Sequence, residues 1–177
     1  MVRADAETRM MQSNRIASIG CIGLLLVLIL LLLIGTVAIR ADLGRKRANA
    51  LAALGRMHEQ IDKAPGIFER MLGYGCGPDA EEAASRATAT VESLARDAPL
   101  GQLEAAWGEI EAAWSAVQRG CGRSLNEPSF VDLSTELEGA RNRYSVEKGN
   151  FYQAAEVYNA ALESSPANLV RWGFEKL

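Results

Sequence analysis

The chain has 177 residues, 86 of them hydrophobic, and 19 of those 86 fall within the 24 residues from Ile16 to Ile39. Outside that window 67 of 153 residues are hydrophobic, an ordinary soluble composition, so one membrane span and one modest domain are the natural organisation. The formal charge is −3, with 16 Lys and Arg against 20 Asp and Glu after the window, a balance that argues against a nucleic-acid partner. The one histidine, His58, would have to carry alone any serine triad, two-histidine zinc site or di-iron bundle, so no enzyme, metal, cofactor or small-molecule substrate is expected.

Residues 1–15 form a short N-terminal tail. The segment 16–39 carries no charge and, at about 1.5 Å per residue, is long enough to cross a hydrocarbon core of roughly 30 Å as a helix. A signal peptide has an apolar region of roughly 7–15 residues before its cleavage site. Thr36-Val37-Ala38 resembles such a site, but the apolar run ahead of it is too long. Cys21 precedes the apolar core, the wrong side for a lipoprotein acylation site, and reads as a small residue within the span. Arg3, Arg9 and Arg15 precede the span, and Arg40, Arg45, Lys46, Arg47 and Arg56 follow it. That bias favours a cytoplasmic C-terminal domain in a cell membrane.

Heptad spacing after the span predicts four helices. Ala50, Leu54, Met57, Ile61, Ala64, Phe68 and Met71 line one seam of a long first helix, which Pro65-Gly66 is expected to kink. Gly73-Tyr-Gly-Cys-Gly-Pro78 ends it, as a helix terminator rather than a nucleotide loop, since no strand precedes it and no Lys-Ser/Thr follows. Ala84, Ala87, Val91 and Leu94 mark a short second helix; Leu103, Trp107, Ile110, Trp114 and Val117 mark a third, closed by Gly120-Cys-Gly. Asn126-Glu-Pro128 opens the last helix with a cap and an early proline, and Phe130, Leu133, Leu137, Ala140, Tyr144, Phe151, Ala154, Tyr158 and Ala161 carry it to Pro166. No stretch alternates as a strand would. The expected fold is all-α: an N-terminal transmembrane helix, then, over 40–165, an antiparallel four-helix, coiled-coil-like bundle of two long and two short helices, with a C-terminal tail at 166–177 near the membrane. Because the short pair covers only half of the long pair, Ala50, Leu54, Met57, Phe151, Ala154 and Tyr158 form a partly open seam suited to a protein partner or to self-association.

Asp62-Lys-Ala-Pro-Gly-Ile-Phe-Glu-Arg-Met-Leu-Gly-Tyr74, and more strongly Leu137-Glu-Gly-Ala-Arg-Asn-Arg-Tyr144, Tyr158-Asn159 and Ser165-Pro-Ala-Asn-Leu169, resemble the LemA family of bacterial membrane proteins. The resemblance spans nearly the whole chain and implies a single-pass inner-membrane protein with a helical bundle, with Glu138, Asn142, Arg143, Asn159 and Asn168 as its recurring polar positions. It implies no activity, because the family's molecular function is not established. Residues 50–60 lack the Trp and basic stretch that family members usually carry there.

Glu138 and Asn142 share a helix face by their four-residue spacing and, with Arg143, read either as helix-to-helix hydrogen bonds or as a binding patch. Cys76 and Cys121 each lie between two glycines at a helix end, at one tip of the expected bundle. They read as a disulfide if the domain faces an oxidising compartment, and otherwise as two unrelated turn residues. His58 reads as solvated or capping. Arg171, Trp172, Phe174 and Lys176 fit a membrane interface, or equally a terminus or cap at the bundle's lower end. The function expected is a non-enzymatic scaffold or adaptor, with a lipid-acting membrane organiser as the alternative and an enzyme as a remote third.

Overall fold

A computed structural model describes the backbone of residues 2–168 and 171–177, and side chains from residue 23 onward except those of residues 123, 124, 165, 166, 169 and 170. The protein is all-α: α1 (Val2–Ile61), α2 (Ala64–Leu72), α3 (Pro78–Glu92), α4 (Leu100–Gly120), α5 (Pro128–Glu163) and α6 (Ser165–Asn168), with a 3-10 turn at Gly122–Asn126 and no strand among the described residues. It divides into two compact units, Met1–Arg45 with Ala160–Lys176, and Lys46–Asn159 with Leu177.

The first unit contains most of α1. Every residue from Leu24 to Ile34 is exposed, as is Val37. A core helix of a soluble domain would bury such a run. Side chains of residues 16–22, Cys21 included, and those of Arg3, Arg9, Arg15, Pro166 and Leu169 lie outside the described residues.

In the second unit the helix boundaries follow the prolines. The long first helix is interrupted at Pro65-Gly66, as expected: α1 ends at Ile61, and α2 begins at Ala64 with Pro65 in its first turn. The reason is steric: Pro65 lacks an N–H and its ring would press on the carbonyl four residues back, that of Ile61. Asn126 ends the 3-10 turn instead of capping α5; the Glu127 carbonyl accepts the first helical bond, from the Val131 N–H (3.0 Å). Gly75 takes φ +78°, a left-handed conformation that glycine adopts without strain, and reverses the chain between α2 and α3.

All five helices of this unit contribute to one core: Met57 and Ile61 from α1, Phe68 and Met71 from α2, Leu103, Ile110 and Val117 from α4, Phe130, Leu137 and Phe151 from α5. From α3 come Ala80, Ala84, Ala87 and Val91, small residues that let α3 pack closely on α4. Aromatic pairs reinforce the packing, Tyr74 edge-on to Phe130 (5.8 Å) and Trp107 stacked on Tyr144 (4.4 Å).

Among the described residues, four ion pairs join helices of this unit at the surface. Arg56 Nε donates to Glu147 Oε2 and Arg70 to Glu136 Oε2, both at 2.8 Å. Lys148 meets Glu104 at 2.7 Å, and Arg141 meets Glu111 at 3.1 Å. The Asn150 amide and the Arg56 guanidinium hold the Glu147 carboxyl below its usual range. The hydrogen bond with Lys148 does the same for Glu104 and, reciprocally, raises the Lys148 ammonium. These pairs set register more than stability, since exposed ion pairs contribute less than about 1 kcal/mol each.

Candidate functional site

The seam read from the sequence as partly open is closed. Ala50, Met57, Phe151 and Tyr158 are buried, leaving only Leu54 and Ala154 partly exposed. The residue α5 buries beside Phe151 is Ala155, and Ala154 turns partly outward. A partner reaching this part of the chain meets a different stripe of α5: Val146, Asn150, Gln153 and Val157, all exposed and spaced by four, three and four residues.

Cys76 and Cys121 are joined by a disulfide, their Cα atoms 4.1 Å apart. The flanking glycines explain how α3 and α4 come close enough. The Gly77 N–H donates to the Gly120 carbonyl at 3.1 Å. A Cβ on Gly120 would lie 3.0 Å from the Ala80 Cβ and 3.5 Å from the Gly77 nitrogen, so a larger residue there would push the helix ends apart.

Glu138, Asn142 and Arg143 are exposed, and no hydrogen bond or ion pair among the described residues ties them to another helix, so the reading as helix-to-helix hydrogen bonds is set aside. Glu138 instead borders a hollow of about 290 Å³ between α4 and α5. Trp107, Ile110, Trp114 and Leu137 form its apolar walls. Glu111 stands at the edge, where it accepts a hydrogen bond from the Trp107 indole N–H (3.2 Å) and pairs with Arg141. Sequence reasoning assigned both tryptophans to the core seam. The available signal was Trp107-x-x-x-Glu111-x-x-Trp114, which puts a carboxylate and two indoles on one helical face.

Asn159 grips the backbone of Leu177 twice, its amide donating to the Leu177 carbonyl (3.0 Å) and its side-chain oxygen accepting from the Leu177 N–H (3.1 Å). The Asn168 amide donates to the Glu163 carbonyl at 3.4 Å. His58 is half-buried rather than solvated, with Nε2 3.4 Å from Asp62 and Nδ1 buried without a hydrogen-bond partner among the described residues.

In the first unit the tail is tied to the end of the apolar stretch. The Arg40 guanidinium lies 4.1 Å over the Trp172 ring and 5.4 Å from that of Phe174, and donates to the Trp172 carbonyl at 3.1 Å. Trp172 is nevertheless 73% exposed. Lys176 pairs with Glu163, holding that carboxyl below its usual range, while Arg171 is exposed. No family model, curated protein or solved structure matches the chain.

Proposed function

We propose that this chain is a LemA-like, single-pass membrane protein whose helical domain is an antiparallel bundle serving as a non-enzymatic scaffold or adaptor for a protein partner or a second copy. The observation that carries the reading is the uninterrupted exposed apolar surface of α1 from Leu24 to Ile34, which water leaves uncovered only at a large cost and a bilayer covers at none. The ion pairs support the antiparallel arrangement. As residue numbers rise from Arg56 to Arg70 their partners fall from Glu147 to Glu136, and from Glu104 to Glu111 they fall from Lys148 to Arg141. The Cys76–Cys121 bond supports a domain on the oxidising side of the membrane, against the cytoplasmic side favoured by the arginine and lysine bias. With the inner seam closed, the stripe Val146, Asn150, Gln153 and Val157 is the surface offered to a partner helix.

Alkaline carbonate extraction of membranes from cells expressing the full chain tests the anchor. The protein stays in the pellet, and a Leu28→Arg substitution, which sets a charge in the middle of the apolar run, releases a large share of it. Wild-type protein recovered wholly in the supernatant would overturn the reading. A second reading, a membrane organiser acting on lipid, is favoured by one observation: an exposed Trp172 held by Arg40, the first residue after the apolar run, matches the aromatic and cationic belt of a membrane interface.

A further inference from the structure

We propose that the hollow between α4 and α5 is a binding site for a methylated organic cation, a quaternary ammonium group such as that of choline. The inference is independent of the scaffold reading. It rests on the chemistry of the walls. Trp114, partly exposed, supplies an indole surface whose negative π face attracts cations, and the small exposed parts of Trp107, Ile110 and Leu137 add apolar area for methyl groups beside it. One face of Trp107 is covered by the stacked Tyr144 ring, so the hollow meets what that pair leaves open, while Trp114 is partly exposed.

Charge selects the same class of ligand. Of the ionised groups at the edge, Glu111 and Arg141 are engaged with each other at 3.1 Å, which leaves the Glu138 carboxylate as the uncompensated charge. An anion would face that carboxylate and the Trp114 indole together. Ser115 and Gln118 complete the lining at the exposed edge, where the Ser115 hydroxyl donates to the Glu111 carbonyl; a primary ammonium or a guanidinium would still turn part of its N–H donors to the indole and aliphatic surface, where unmet donors are costly, and Glu111 already accepts from Trp107 and Arg141. A quaternary ammonium has no N–H to satisfy and presents methyl groups in every direction. The volume of about 290 Å³ is near the lower limit of ligand pockets and suits a headgroup rather than a large cofactor.

The test uses the full chain in a non-ionic detergent, with Trp172→Phe removing the tail indole so that fluorescence reports on Trp107 and Trp114 alone. Choline chloride, titrated at constant ionic strength against sodium chloride, quenches this fluorescence saturably. The neutral isostere 3,3-dimethylbutan-1-ol, equal in shape and lacking the charge, binds about tenfold more weakly. Glu138→Gln, an exposed and conservative change, weakens choline several-fold without altering the circular dichroism, and Trp114→Leu weakens it about tenfold. Glycerophosphocholine as a second titrant separates the sources: tighter binding than choline assigns a lipid headgroup, weaker binding a free quaternary ammonium compound. No saturable quenching by either titrant, or an equal response to the neutral isostere, would overturn the proposal.

Discussion

Replacing Cys76 and Cys121 together with serine lowers the unfolding temperature of the helical domain by roughly 10–20 °C. The bond closes a loop of 45 residues, which by loop-closure entropy restricts the unfolded chain by about 4 kcal/mol. Few other changes of two atoms in this chain reach that size. The serines fit the same space, and the Gly77–Gly120 backbone hydrogen bond is unaffected, so the folded state keeps its helix content while its reference state gains freedom. Thermal unfolding followed by circular dichroism, with and without reductant, separates the two contributions. Wild type in reductant should melt near the double variant, and a double variant that melts within a degree or two of oxidised wild type would contradict the account.

Trp107→Ala is expected to cost about 3–5 kcal/mol, the range for deleting a buried indole. The ring is nearly fully buried in the core, lies at 11° to Tyr144 and makes its one polar contact with Glu111, so its loss opens a cavity and removes the stacking surface of the tyrosine. A second readout comes from Tyr144 itself. Burial, aided by the nearby Glu104 charge, pushes its phenol up to about 12, and the buried hydroxyl has no hydrogen-bond partner among the described residues. Since the folded-state value lies above the ordinary tyrosine value near 10, the neutral phenol's share of stability is whole below about pH 10. It is lost as pH rises from there toward 12. Opening the cavity returns the phenol toward 10, visible as an earlier rise in tyrosinate absorbance. A variant that melts like wild type and titrates no earlier would remove Trp107 from the centre of the packing.

Helix identity was legible because the apolar residues repeat at three and four and the breaks fall at glycine and proline. Leu103, Ile110, Val117, Phe130 and Leu137 are buried as that spacing requires. Spacing reports which residues share a face but not how far a neighbouring helix covers it. That is why Ala50, Met57, Phe151 and Tyr158 read as an open seam and are closed, and why Ala155 rather than Ala154 is the buried member of the pair. Pro65 was legible as a disturbance, but whether it kinks a helix or separates two depends on the chain before it, and α1 stops at Ile61 with α2 starting at Ala64. The Gly-Cys-Gly repeats marked two turns at one tip of the bundle but left open whether the cysteines pair, which depends on how closely Gly120 meets Ala80 and Gly77. The hollow beside Trp114 was not legible because its walls come from two helices. Glu138, Asn142 and Arg143 could be placed on α5 but read either as helix-to-helix hydrogen bonds or as a binding patch, because spacing does not tell whether another helix reaches them; all three are exposed.

The central claim, a membrane-anchored bundle on the oxidising side, is tested most directly by thiol topology. In cells expressing the full chain with Cys21→Ser, a thiol-reactive polymer too large to cross a lipid bilayer is applied outside the cell membrane, before and after reduction and before and after lysis. The account predicts no modification of Cys76 or Cys121 without reductant, even in lysate, and modification of both in unlysed cells once reductant is added. Modification without reductant that appears only on lysis would put two free thiols in the cytoplasm and contradict it.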